Sequence, residues 1–277
     1  MFEGYNATPQ AELQGLSPNQ LAALLDGDWR TKGAVRLNQA LPGELANQAW
    51  AFRAALDFLR LVRDHGPAPT TATGNLSRKF VAEALNAIEF PPGHLDYVRT
   101  YCKVINEPDV GLLHELRITL VNAGFLRRQR GFRITRPGRE ALEAATTRPG
   151  PLFTRLFLAQ MGVPGAFLEP DGPTFRSPVG PALFLLRFLA ADWVDSLWLT
   201  DRLLVPHLFP DLTPMQLGFS AYQWVVAPCL AFGLAEQRED LTRGGLSSVR
   251  ITPLFGQFIE FVFPDAGEGR GHLRLVR

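Results

Sequence analysis

The chain has 277 residues, of which 46% are hydrophobic, 10% aromatic and 20% charged, and its formal net charge is +1. That composition can bury a sizeable core and excludes a mainly disordered chain, while the near-neutral balance excludes a uniformly basic nucleic-acid coat. Two cysteines, Cys102 and Cys229, stand far apart with no metal-ligand spacing around them, which excludes a disulfide scaffold and predicts a reducing, cytoplasmic setting.

The opening residues MFEGYNATPQ lack a basic start followed by an apolar block, so no secretory leader is expected. The longest apolar stretches, such as Val225–Ala235, fall short of the roughly 18 residues a membrane span needs, so no membrane partner is expected either. Of the 28 basic residues only Lys32, Lys79 and Lys103 are lysines; that bias reads first as a coding preference and second as a preference for phosphate.

In chain order, residues 1–44 read as a lead segment with one short helix, begun by Ser17-Pro18 and carrying Leu21, Leu24 and Leu25. A polar, glycine-containing stretch runs from Asp26 to Gly43. Residues 45–148 form a first domain. Leu45, Ala49, Phe52, Leu56 and Leu59 recur at helical spacing until Gly66-Pro67, Thr70–Thr73 suits a short strand, and Gly74-Asn75 opens a second helix to about Ala87. After a connector, Asp109 suits the cap of a third helix with Leu112, Leu113, Leu116 and Leu120. Gly124 ends that helix, Phe125–Arg128 and Phe132–Thr135 make a tight hairpin, and Pro137-Gly138 starts another helix. Helix, strand, helix, helix, hairpin, helix is the order of a winged helix.

Residues 149–180 read as a bridge with a helix-like block at Leu152–Gln160. Residues 181–263 then repeat the pattern: helical blocks near Leu183–Ala191, Thr200–Phe209 and Phe219–Phe232, a strand at Leu234–Arg238, a loop through Gly244-Gly245, Val249–Thr252, and a helix from Pro253. Residues 264–277 read as a flexible tail. Gly124…Arg133-Ile134-Thr135…Gly138 and Gly233…Arg250-Ile251-Thr252…Gly256 occupy equivalent places in the two orders. The expected fold is therefore mainly α with small β-hairpin wings, as tandem winged-helix-like domains. Pro228 is the main objection, since a proline inside a helix costs about 3 kcal/mol or kinks it.

Charge separates the two halves: residues 45–150 carry +5 and residues 181–263 carry −3. Between Arg117 and Arg139 stand seven arginines (Arg117, Arg127, Arg128, Arg130, Arg133, Arg136, Arg139) and no acid. Guanidinium groups hold phosphate bidentately and displace counterions, so the hairpin is a candidate phosphate-contacting wing, with Arg127 and Arg133 facing away from Phe132 and Ile134. A solvated face in an arginine-biased protein is the competing reading. Thr73, Asn75, Ser77, Arg78 and Lys79 cluster where the second helix begins and its free N–H groups favour an anion; ordinary capping by Thr73 or Asn75 competes there. The third helix offers little besides His114, Arg117 and Asn122, so contacts to backbone rather than to base edges are expected. The second domain is acidic at Glu236, Glu239 and Asp240, which suits assembly rather than nucleic acid.

The five histidines are isolated, and no Cys/His ligand cluster, nucleophile elbow or phosphate loop occurs. The expectation is a non-enzymatic protein with no catalytic residues, no metal and no cofactor. It would bind nucleic acid, DNA above all and with low sequence specificity, and form a homo-oligomer or engage a protein partner through residues 181–263. The alternative is a scaffold whose winged helices hold an acidic protein partner and no nucleic acid.

Several segments resemble a poorly characterised bacterial family found with plasmids and mobile elements. They are Leu16-Ser17-Pro18-Asn19-Gln20-Leu21, Thr71-Ala72-Thr73-Gly74-Asn75-Leu76-Ser77-Arg78-Lys79-Phe80, Asn106-Glu107-Pro108-Asp109 with Leu113-His114, and Ala123–Arg128 through Gly131. The likeness spans much of residues 16–143, weakens toward Pro253-Leu254, and implies no activity. Ser77 stands where that family is expected to have proline, a change the first turn of a helix tolerates.

Overall fold

The structure, a computed structural model, describes residues 6–29, 33–162, 178–240 and 246–263. Helices take 57% of these residues and strands 12%, a mainly α protein with small antiparallel sheets. The chain divides into two compact units: one discontinuous, residues 1–38 with 161–277, and one inserted between those parts, residues 39–160.

The discontinuous unit begins with α1 (Pro18–Leu25), where Ser17 and Gln20 form a reciprocal capping box. The polar, glycine-containing stretch after it contains strand β1 (Val35–Leu37).

The inserted unit runs α2 (Gly43–Ala46), α3 (Trp50–His65), α4 (Arg78–Ala87), α5 (His94–Tyr101), α6 (Gly111–Asn122), β2 (Leu126–Arg128), β3 (Phe132–Ile134), α7 (Arg136–Ala144) and α8 (Pro149–Gln160). Its core forms where the apolar stripe of α3 meets its neighbours: Phe58 packs on Phe80 of α4 at 6.0 Å between rings, and Phe52 on Phe153 of α8 at 5.9 Å. The helix expected from Leu45 is two helices, since the chain turns at Asn47–Ala49. The expected strand at Thr70–Thr73 is a closed loop instead. Thr71 donates its N–H to Asn75 at 2.7 Å and Gly74 donates to Thr71 at 3.0 Å. Extended pairing falls earlier, at Ala68, which exchanges hydrogen bonds with Phe132 of β3. Helix α5 lies in the stretch read as a connector. Residues 149–160, read as part of the bridge, form α8, nine of whose twelve residues are buried. Most of the remaining bridge, 163–177, lies outside the described residues, as do the Gly244-Gly245 loop and the tail from 264.

The discontinuous unit resumes with α9 (Val179–Leu189), β4 (Val194–Asp195), α10 (Ser196–Leu203), α11 (Pro214–Ala221), a π-helical turn (Tyr222–Val226), α12 (Ala227–Ala231), β5 (Ala235–Asp240), β6 (Leu246–Ile251), α13 (Pro253–Phe258) and β7 (Ile259–Phe261). Antiparallel pairing of β1 with β7 sets Val35 opposite Phe261 and Leu37 opposite Ile259. Helix α9 packs on α1 through Gly180, whose absent Cβ would stand 2.0 Å from the Leu24 carbonyl oxygen. Helix α1 and strand β1 are thus built into this unit rather than leading the next one.

The two units share a backbone pattern. In the inserted unit a helix ends at Gly124 with φ +71°, Phe125 donates back to Leu120, and Thr135 returns after the hairpin to donate its N–H to Phe125 and its hydroxyl to Gly124. In the discontinuous unit a helix ends at Gly233 with φ +66°, Leu234 donates back to Cys229, and Thr252 donates its N–H to Leu234 and its hydroxyl to Gly233. The sheets agree as well: Ala68 pairs with Phe132 as Val194 pairs with Val249, so the order is Ala68–β3–β2 in one and β4–β6–β5 in the other. Left-handed backbone at both helix ends suits glycine, the residue with no Cβ to clash.

Candidate nucleic-acid interface

Hairpin β2–β3 presents the arginines. Leu126 pairs with Ile134, Arg127 with Arg133 and Arg128 with Phe132. Side chains alternate across a strand, so burial of Leu126 and Phe132 turns Arg127 and Arg133 outward together, directly opposite one another. Arg130 takes the tip with φ +50°. Arg127, Arg128, Arg130 and Arg133 are exposed, and none makes an ion pair among the described residues.

The expectation for Arg117 is corrected. Its guanidinium turns inward, 11% exposed, donates from Nε to Glu107 at 2.5 Å and lies over the Phe132 ring at 4.9 Å. Glu107 is wholly buried, and besides Arg117 it accepts from the Leu76 N–H and lies 2.9 Å from Nδ1 of His114. One carboxylate therefore ties the chain before α4, the helix α6 and, through Arg117 on Phe132, the hairpin. Glu107 was not singled out from the sequence as a site residue. The sequence marks it only within the Asn106–Asp109 segment of the family resemblance and as an acid followed by His114 and Arg117 on the next helix. Beside His114, desolvation raises the Glu115 carboxyl above its usual range, and the nearby His114 charge partly offsets this.

Arg136 stays exposed on the surface of α7, where it donates to Glu140 at 2.7 Å, and that hydrogen bond and charge raise its pKa. Glu140 stands one residue past the acid-free run.

At α4 the cap is Ser77, whose hydroxyl accepts from the Phe80 N–H at 3.4 Å; neither Thr73 nor Asn75 caps the helix. The expected cap Asp109 is likewise used otherwise, since its carboxylate accepts from the Asn106 N–H at 2.7 Å and α6 begins without a side-chain cap. Thr73, Arg78 and Lys79 are exposed, Asn75 and Ser77 half-buried, and Arg78 donates to Asn106 at 2.9 Å. The loop and the hairpin meet: a Cβ on Gly74 would lie 2.7 Å from the guanidinium of Arg128. The expected residues that share one surface are thus the Thr73–Lys79 segment and Arg128, with Arg127, Arg130 and Arg133 on the same hairpin.

The sister hairpin differs at the decisive position. Glu236 stands opposite Arg250, as Arg127 stands opposite Arg133, and the two form an ion pair. Arg250 and Arg238 also sit over the Trp193 ring, at 4.6 and 4.3 Å. Among the described residues no helix is long and apolar enough to cross a membrane.

Residues 47–147 match the family model described as the Y4jL N-terminal domain, of an uncharacterised bacterial family. That stretch lies inside the inserted unit and holds the hairpin and the Thr71–Phe80 segment; Leu16–Leu21 and Pro253-Leu254 fall outside it. No curated protein and no solved structure matches the chain.

Proposed function

We propose that the protein is a non-enzymatic nucleic-acid-binding protein built from two winged-helix-like units, the inserted one gripping the phosphate backbone of DNA through its hairpin. The observation that carries this reading is the Arg127–Arg133 pair. Like charges directly opposite on a two-stranded ribbon repel one another, and in the sister hairpin the same register holds an acid and a base. An external anion between the two guanidinium groups relieves the repulsion and gains charge-assisted hydrogen bonds from both. Arg130 adds a cation at the tip, and Arg128, on the other face of the ribbon beside the Thr73–Lys79 segment, forms a second cationic group with Arg78 and Lys79. Contacts of this kind position a protein on a duplex without reading sequence.

The discontinuous unit serves assembly in this reading. Its hairpin balances three acids with three arginines and pairs Glu236 with Arg250, and Leu197, Trp198, Met215 and Phe219 are exposed on its helices. Large apolar side chains in water are the usual material of protein contacts.

A salt titration of duplex binding tests the proposal. The full chain should bind a 20-base-pair duplex at about 50 mM salt, with affinity falling steeply toward 200 mM as counterion release weakens. Replacing Arg127, Arg128 and Arg130 by alanine should reduce the slope of log K on log salt by about 2–3. Absence of binding at low salt, with retention of an acidic protein instead, overturns it in favour of a scaffold.

A further inference from the structure

Helix α5 makes little use of itself in the fold. Of its eight residues only Val98 is buried, and its start is steadied by His94 stacked on Phe90 at 5.7 Å, with Phe90 in turn on Trp50 at 5.9 Å. The outward face carries Tyr97 and Tyr101, one helical turn apart, 69% and 72% exposed, with ring centroids 4.7 Å apart. Arg99 is exposed on the opposite side of the helix, Lys103 follows the helix end, and exposed Asp96 precedes Tyr97; neither cation makes an ion pair among the described residues. Tyr101 stands five residues before Asn106, which accepts from Arg78, so the Cα atoms of the two residues are at most about 18 Å apart.

We propose that Tyr97 and Tyr101 form a stacking platform for unpaired bases, so that the nucleic acid held by this protein is single-stranded or carries a single-stranded segment. This rests on the phosphate-binding reading of the hairpin and adds the class of strand. Two amphipathic rings in water offer a single strand a surface for its bases, and the arginines of the hairpin in the same unit supply the countercharge for its backbone. Duplex bases are already stacked on each other and cannot use the rings. Both tyrosines point into solvent and Val98 holds the helix, so the variants needed for the test should fold.

The test is fluorescence anisotropy with the full chain and three probes: a 20-nucleotide oligo(dT), the same length of abasic strand, and a 20-base-pair duplex. Wild-type protein should bind oligo(dT) more tightly than the abasic strand. Combined Tyr97→Ala and Tyr101→Ala should weaken oligo(dT) binding about 10- to 100-fold and leave the salt slope and duplex binding unchanged. Combined Tyr97→Phe and Tyr101→Phe should retain it. The platform is overturned if the alanine variant binds oligo(dT) as wild type does, or if abasic and base-bearing strands bind alike. It is also overturned if the alanine variant changes the oligomeric state, since the rings then serve a protein contact. Those results leave the hairpin reading intact provided the duplex is bound and the arginine variants weaken it. If wild type binds none of the three probes, both fall.

Discussion

Glu107 is the only charged residue that the described part of the protein buries completely. A carboxylate taken out of water is tolerated when its partners are in place, and breaking such a pair leaves an uncompensated charge. Glu107→Ala removes the acceptor for the Leu76 N–H and leaves Arg117 unpaired beneath Phe132. The expected loss of stability is about 3–5 kcal/mol, read from the urea midpoint. A double replacement by apolar residues, Glu107→Leu with Arg117→Met, should cost markedly less, because no charge is stranded. Equal losses from the two would show that packing volume, not charge, is what this site supplies. The sequence alone concealed this pair. Arg117 belonged to an acid-free run of arginines, and linear spacing says nothing of an acid ten residues earlier that folds beneath it.

The two hairpins make a comparison at the scale of the element. Their matching hydrogen bonds show that a helix end, a ribbon and a threonine return specify a shape that tolerates either charge pattern. Arg127→Glu would give the first ribbon the pairing of the second and should stabilise it by about 0.5 kcal/mol while weakening duplex binding. A fall in melting temperature would mean that Arg127 and Arg133 do not strain the free protein. Much at this scale was legible: α1 with its cap, α3, the hairpin with its register, and the repeat, because period, turn residues and glycine positions are local signals. Strands β1 and β7 were not, since three residues paired across the length of the chain carry no local pattern. Pro228 reads as an obstacle to a long helix, and it does lie inside the continuous helical run Pro214–Ala231; the π-helical turn directly before it, where the Ala227 N–H reaches back five residues to Tyr222, is the local change that accommodates it. Helix α5 was hidden for the opposite reason: with only Val98 buried, its sequence has almost no apolar stripe to read.

At the scale of the molecule, the expectation of a lead segment followed by two domains in sequence gives way to one unit interrupted by another. Removal of residues 253–277 should therefore do damage at the other end of the chain: β1 loses β7, and Asn38 loses the Phe258 carbonyl that accepts its N–H at 2.9 Å. Limited proteolysis of that truncation should cut early within residues 6–38 and leave residues 39–160 resistant. Uniform resistance, or uniform digestion, would contradict this division.

The pairing of Asn38 with Gln257, 219 positions apart, also constrains the order of events during synthesis. At roughly 5–20 residues per second on the ribosome, β1 waits at least ten seconds for its neighbour, while everything needed by residues 39–160 has long since emerged. The arginine-bearing hairpin is therefore complete on the nascent chain before the other unit can close, and Val35–Leu37 spends that interval as an unpaired strand in need of protection.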